Sequence, residues 1–257
     1  MPNPTRTLPW LESGEPFPPV TSAWSQDDPA PGLLASGRTL DVTSLLEAYA
    51  LGIFPWFSAG QPILWWSPEP RMVLRTGNFR LHRSLRKSLQ RFLETPGCEI
   101  RMDTAFDQVI NACAGTARTG QPGTWIVPDM VEAYTALHAA GHAHSVETWS
   151  GDQLVGGLYC VNIGTMVFGE SMFSHQTDAS KFALAGLVAF SRAHGLELID
   201  CQQNTRHLAS MGAAEIPRAD FVAEVAAKTG QTSPIWNFDA LYWQQLLPAG
   251  MQNPTTT

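Results

Sequence analysis

Apolar residues recur at helical spacing most clearly over residues 81–93, LHRSLRKSLQRFL. Leu81, Leu85, Leu89 and Phe92 share one side, and Arg83, Lys87 and Arg91 repeat every four residues on another. LDVTSLLEAYALG is a second helix, with Asp41 or Thr43 as its cap and Gly52 as its stop. Two more are predicted, from Thr104 to Ala114 on Phe106, Val109 and Ile110, and from Pro128 to Ala140, ended by Gly141. A fifth runs from about Asp178 to Ala193, ends at Gly195 and feeds a short strand, LELID. RMVLR and GCEIRMD read as strands on either side of the basic helix. Residues 145–173 alternate in places and are broken by Ser-Gly-Asp and Asn-Ile-Gly, which predicts three antiparallel strands. The sum is an α/β chain with a mixed sheet flanked by helices.

One stretch resists this reading. GIFPWFSAGQPILWWSPEPR, residues 52–71, holds three of the nine tryptophans and four prolines. Proline excludes a long helix or a central strand there, while indole is costly to expose. The segment reads as rigid aromatic surface held outside regular structure. The first forty residues, rich in Pro, Gly and Ser, are expected to form extended or turn structure around a short strand, and QNPTTT a loose end.

Composition changes little: 44% hydrophobic and 15% charged residues fit an ordinary globular chain with a substantial core. The opening MPNPTRTLPW has no long apolar run, and FALAGLVAF at 182–190 is too short to cross a bilayer. Four cysteines form no CxxC pair, so a reduced, cytoplasmic protein is expected. His142 and His144 in GHAHS are read as polar residues entering a strand rather than metal ligands. No HExxH, P-loop or dinucleotide fingerprint is present.

Charge changes more. The net charge of −7 argues against a general nucleic-acid binder. Yet seven of the sixteen Lys and Arg residues lie between Arg71 and Arg91, with no acid among them. Ordinary surface helices mix signs, so this is a candidate local phosphate-binding face.

Candidate chemistry gathers near the LELID strand. Asp200 ends it, and Gln202, two residues on, shares its face if the segment stays extended. A carboxylate beside an amide can orient an amine and accept its proton; an Asx-type turn closing the strand, followed by a capped helix, is the alternative. Glu170 sits among Phe168, Met172 and Phe173 and needs a partner, whether a ligand amine, a hydroxyl or an arginine. Trp125 and Tyr134 add aromatic surface near the turn TGQPGTW.

Together these stretches resemble the leucyl/phenylalanyl-tRNA–protein transferase family. The matching pieces are GIFPWFSAGQPILWWSPEPR, GTWI, AYTALHAAGHAHSVETW, LVGGLYCVNIGTMVFGESMFS, DASKFAL, LIDCQ and HLASMGAAEIPR, in order across roughly residues 32–222. Residues 1–30, an extended loop at 115–123 and QNTR before His207 depart from the pattern. The resemblance implies a small N-terminal α/β domain, residues 1–72, and an acetyltransferase-like domain, residues 73–257. It implies transfer of Leu or Phe, less readily Met, from aminoacyl-tRNA to the α-amine of proteins beginning with Arg or Lys, which marks them for N-degron-dependent degradation. No cofactor, metal or membrane is implied, and a monomer is expected. Trp56 and Trp125 would hold the terminal adenosine, with Tyr134 and Glu170 at the ribose or aminoacyl amine. Leu158, Phe168, Met172, Leu184 and Leu187 would form the side-chain pocket. Asp200 and Gln202 would orient and activate the attacking amine. Arg83, Arg86, Lys87 and Arg91 would meet tRNA phosphates. An acyl-coenzyme A-dependent N-acetyltransferase is a rival on fold, although no Gly-rich Q/RxxGxG/A loop is present. A non-catalytic tRNA-binding module is the other, but it leaves Glu170, Asp200 and Gln202 without a role.

Overall fold

The computed structural model describes residues 7–116 and 126–247. In chain order the elements are β1 (Trp10–Leu11), β2 (Leu33–Gly37), α1 (Val42–Ala50), β3 (Phe54–Pro55), β4 (Leu64–Trp66) and β5 (Arg71–Arg75). Then follow α2 (Arg83–Glu94), β6 (Cys98–Met102), α3 (Phe106–Gly115), α4 (Pro128–Ala139), β7 (Ala143–Ser150), β8 (Gln153–Ile163) and β9 (Met166–Ser174). The chain continues through α5 (Ala179–Ala193), β10 (Leu198–Gln202), α6 (Arg206–Ser210), β11 (Ala214–Ile216) and α7 (Arg218–Thr229). No helix among the described residues is long and apolar enough to cross a membrane.

The strands make two sheets. The smaller has the order β1-β2-β4-β3, and the larger β11-β5-β10-β9-β8-β7-β6. The larger is antiparallel except where β10 runs parallel to β9. Its two faces carry separate cores. One face packs against α1, α3, α4 and the small sheet, through Leu45, Tyr49, Trp65, Val109 and Tyr134. The other packs against α2 and α5, through Leu85, Leu89, Phe182 and Leu187. The small N-terminal sheet therefore shares a core with the large one.

The aromatic, proline-rich stretch is more regular than its composition predicts. It forms a short antiparallel pair, β3 with β4. Pro55 is tolerated because β3 is the edge of its sheet. Trp65 is fully buried and donates its indole N–H to the Gly37 carbonyl at 2.9 Å. Two of the three indoles are thus core, and Trp56 alone keeps substantial exposure. Gly52 stops α1 as expected: its φ of +74° suits glycine, and a Cβ there would meet the Phe221 ring at 3.0 Å.

The expected strands and helices are present with ends shifted by a residue or two. The short helix α6, capped by the Thr205 side chain, is the capped helix of the alternative reading after Asp200; the edge strand β11 and the helix α7, in a less periodic stretch, were not expected. The basic run is also not one face. Arg71 is fully buried, and Arg75 pairs with Glu224 at 2.5 Å. Arg83, Arg86, Lys87 and Arg91 are exposed on α2, and none makes an ion pair among the described residues.

Candidate active site

A cavity of about 570 Å³ opens between β9 and β10. These parallel neighbours pair only at Ile199 with Val167 and Asp200 with Phe168. Beyond that point they part. Each also carries a bulge there. Tyr159 faces Ser171 and Cys160 faces Gly169, so Glu170 is the extra residue of β9. On β10 the register slips between Asp200 and Gln202, and Gln202 takes a left-handed φ of +61°. Bulges re-aim side chains that strict alternation would send elsewhere. Here two of them turn Glu170 and Gln202 toward each other, with the Gln202 amide donating to Glu170 Oε1 at 2.9 Å.

The cavity reaches both faces of the sheet. Leu158, Met172, Leu184, Leu187, Ile199 and Leu208 line it from the α5 side. Phe54, Trp56 and Tyr159 line it from the other side, with Glu170 and Gln202 between. Trp56 is held at the rim by the hairpin: its N–H donates to Leu64 O at 2.9 Å, and its carbonyl accepts from the Trp66 indole at 2.7 Å.

Glu170 is a strongly perturbed carboxyl in the cavity wall. The Tyr49 hydroxyl donates to its Oε1 at 2.7 Å, and the Tyr134 hydroxyl reaches Oε2 at 3.4 Å and also bonds Tyr49. Burial pushes the Glu170 pKa up to about 8; the nearby Asp200 charge adds to this, and the Tyr49, Gln202 and Tyr134 donors oppose it. Burial first, and then the Glu170 charge, push both phenols well above their usual range, so they remain donors. Tyr134 is fully buried beneath Glu170 and does not line the cavity. Phe168 is likewise buried, against the Tyr49 ring at 4.9 Å, and is not a pocket residue. Trp125 lies outside the described residues.

Asp200 makes the Asx-type contact of the alternative reading, through the Gln202 N–H, and is not an open strand-end carboxylate. Its side chain is fully buried, and both oxygens are occupied. Arg71 donates from Nε to Oδ1 at 2.8 Å and from Nη2 to Oδ2 at 2.6 Å, and the Gln202 N–H donates to Oδ1 at 2.8 Å. Arg71 Nη1 continues to Gly52 O at 3.1 Å, and its guanidinium lies over the Phe54 and Phe221 rings. One buried arginine thus ties the aromatic wall to the bulge that aims Gln202. Tyr49, Arg71 and His207, which also lines the cavity, were not singled out from the sequence. Arg71 had a visible signal: it opens the otherwise apolar strand segment RMVL. Tyr49 and His207 had none without the fold.

A mixed α/β sheet split by a cleft, apolar on one side and carrying a protonatable carboxyl at its centre, defines a site for a ligand with an apolar arm and a polar head. A family model described as leucyl/phenylalanyl-tRNA protein transferase matches residues 73–226, and one for that family's N-terminal domain matches residues 38–69. The leucyl/phenylalanyl-tRNA–protein transferase of Polaromonas sp. (strain JS666) is 66% identical over 97% of each chain. Those of Albidiferax ferrireducens and Leptothrix cholodnii are 60% and 55% identical, covering 93% and 96% of this chain and 94% and 98% of theirs. A solved structure from Staphylococcus epidermidis, of unknown function, covers 72% of this chain and 68% of its own at 9% identity; its TM-score of 0.34 is too low to carry an argument. The chain belongs to the leucyl/phenylalanyl-tRNA–protein transferase family.

Proposed function

We propose that the cavity binds the aminoacylated 3′ end of a tRNA and passes its leucyl or phenylalanyl group to the α-amine of a protein beginning with Arg or Lys. The carrying observation is the two-sided cleft, which offers one apolar arm and one carboxyl head. The six-residue apolar side accepts Leu, Phe or Met and rejects charged side chains through their desolvation; a methylene is worth only about 1–3 kcal/mol, so these three are weakly separated. Glu170 faces the aminoacyl α-amine, and Gln202 shares its oxygen. In the transfer, the acceptor nitrogen bonds to the ester carbon and the bond to the ribose oxygen breaks. One amine proton ends on that oxygen. The ester is already activated, so no ATP or coenzyme is needed. Asp200 acts as a positioning residue, through the Gln202 N–H and Arg71. The reaction belongs in the cytoplasm, where charged tRNA is found, and marks its products for degradation. Labelled leucine supplied as Leu-tRNA should join an Arg-initiated peptide and not one beginning with an acidic residue. Label transfer from acetyl-coenzyme A instead would establish the rival donor.

Trp56 supports the terminal adenosine by stacking, worth about 1–3 kcal/mol per base. Trp56→Ala should raise KM for Leu-tRNA and for leucyl-adenosine alike; an unchanged KM for both in a folded variant rejects the stacking role. Helix α2 meets the stem. Replacing Lys87 and Arg91 together with Glu should raise KM for Leu-tRNA at low salt, with the difference from the parent narrowing as salt is added, and leave leucyl-adenosine unaffected. Equal losses with both donors would make α2 a structural helix only.

A further inference from the structure

The α2 stripe and the cavity are separate places on the molecule, and a single-stranded tRNA tail must cross from one to the other. The seam between them is built. Ser88 of α2, next in sequence to Lys87, donates from Oγ to Asp178 Oδ2 at 3.1 Å. Lys181, in the first turn of α5, donates from Nζ to Asp178 Oδ1 at 2.7 Å. Beneath them Phe92 and Phe182 pack at 5.0 Å and fix the two helices together. One turn further along α5, Leu184 lines the cavity. Lys181 is also close enough to His207, in the cavity wall, for its charge to act on that ring.

We propose that Lys181 binds a phosphate of the donor's single-stranded 3′ tail, between the stem held on α2 and the adenosine at the cavity. This rests on the donor reading above. The ammonium carries three N–H donors, and Asp178 takes one. Its side chain is 38% exposed, and Asp178 is the one hydrogen-bond acceptor its ammonium meets among the described residues. Asp178 has both oxygens already bonded, by Ser88 and Lys181. An anion at the seam therefore meets the Lys181 ammonium beside a carboxylate whose oxygens are already bonded. His207 adds no charge of its own there, since burial and then Lys181 hold its pKa below the usual histidine value. A lysine is a mobile point charge, suited to a phosphate on a flexible strand, whereas the arginines of α2 face the regular stem.

Three donors separate the possibilities: Leu-tRNA, a leucylated CCA trinucleotide and leucyl-adenosine, each tested with parent, Lys181→Met and Lys181→Arg. Lys181→Met should raise KM about two- to fivefold for Leu-tRNA and for the trinucleotide, as expected of an exposed charge pair. It should leave leucyl-adenosine unchanged. The slope of log affinity against log salt for the trinucleotide should fall by about 0.7, the loss of one single-strand phosphate contact. Lys181→Arg should recover most of the loss. An equal change with all three donors would make Lys181 a structural partner of Asp178 and overturn the proposal. So would no change with the trinucleotide, including a loss confined to Leu-tRNA, which would assign Lys181 to the stem. A parent inactive with all three donors would overturn the donor reading and this proposal with it.

Discussion

Asp200→Asn should destabilise the protein by about 3–5 kcal/mol, because it leaves the Arg71 guanidinium buried without its counter-charge. Denaturant midpoints would measure this. The informative comparison is Asp200→Asn combined with Arg71→Met. That pair removes both charges, and Asn keeps an acceptor for the Gln202 N–H. Replacing a buried ion pair by neutral groups of similar size is often near neutral, so most of the lost stability should return. Transfer should return with it, because Asp200 contributes by holding the bulge rather than by taking a proton. A proton acceptor at Asp200 requires the opposite: a loss of about 10²–10⁴-fold that the second substitution cannot relieve. Recovery of stability without recovery of kcat would make Asp200 the base after all.

Glu170→Gln should trade activity for stability. The carboxyl titrates near 8 in the folded protein, against about 4.3 in an unfolded chain. The folded state therefore holds the proton more tightly. Its stabilising contribution is fully present below the unfolded value, is lost as pH rises to about 8, at up to about 1.4 kcal/mol per unit, and is gone above that. Glutamine is neutral throughout and can still bond the two tyrosines. At about pH 9 the variant should be the more stable protein, and near pH 5 the difference should disappear. Melting temperatures across that range give the answer. A difference that does not depend on pH would mean that Glu170 is not held protonated. A carboxyl kept in so unfavourable a place is what a binding site for an amine requires, and loss of function is the usual accompaniment of relieving it.

These effects arise from contacts that the sequence discloses unevenly. The helices and central strands follow from apolar spacing and Gly stops, which act locally. Glu170, Asp200 and Gln202 stand out by residue type and neighbours, but alternation puts Gln202 only on Asp200's face and gives no reason for it to meet Glu170. Gln202 meets Glu170 because β9 and β10 each bulge where they part, and a bulge depends on the partner strand. Arg71 and Asp200 lie 129 residues apart in sequence, so their pairing exists only in the folded sheet. The prolines of residues 52–71 did predict a rigid wall, yet two of its indoles turned inward, because the small sheet supplies the cover that composition cannot reveal. Phe168 and Tyr134 moved from wall to foundation for the same reason: both lie on the face that α1 and α4 cover.

The most direct measurement is single-turnover transfer of labelled leucine from saturating Leu-tRNA to an Arg-initiated peptide, by parent and by Glu170→Gln. The parent should form the new Leu–Arg peptide bond. The variant, folded and at least as stable, should form it about 10- to 100-fold more slowly, the loss expected when a hydrogen bond to a charged ligand group is removed. A parent that leaves the peptide unmodified, or a variant that matches the parent's rate, would contradict the assignment of this cleft to aminoacyl transfer through Glu170.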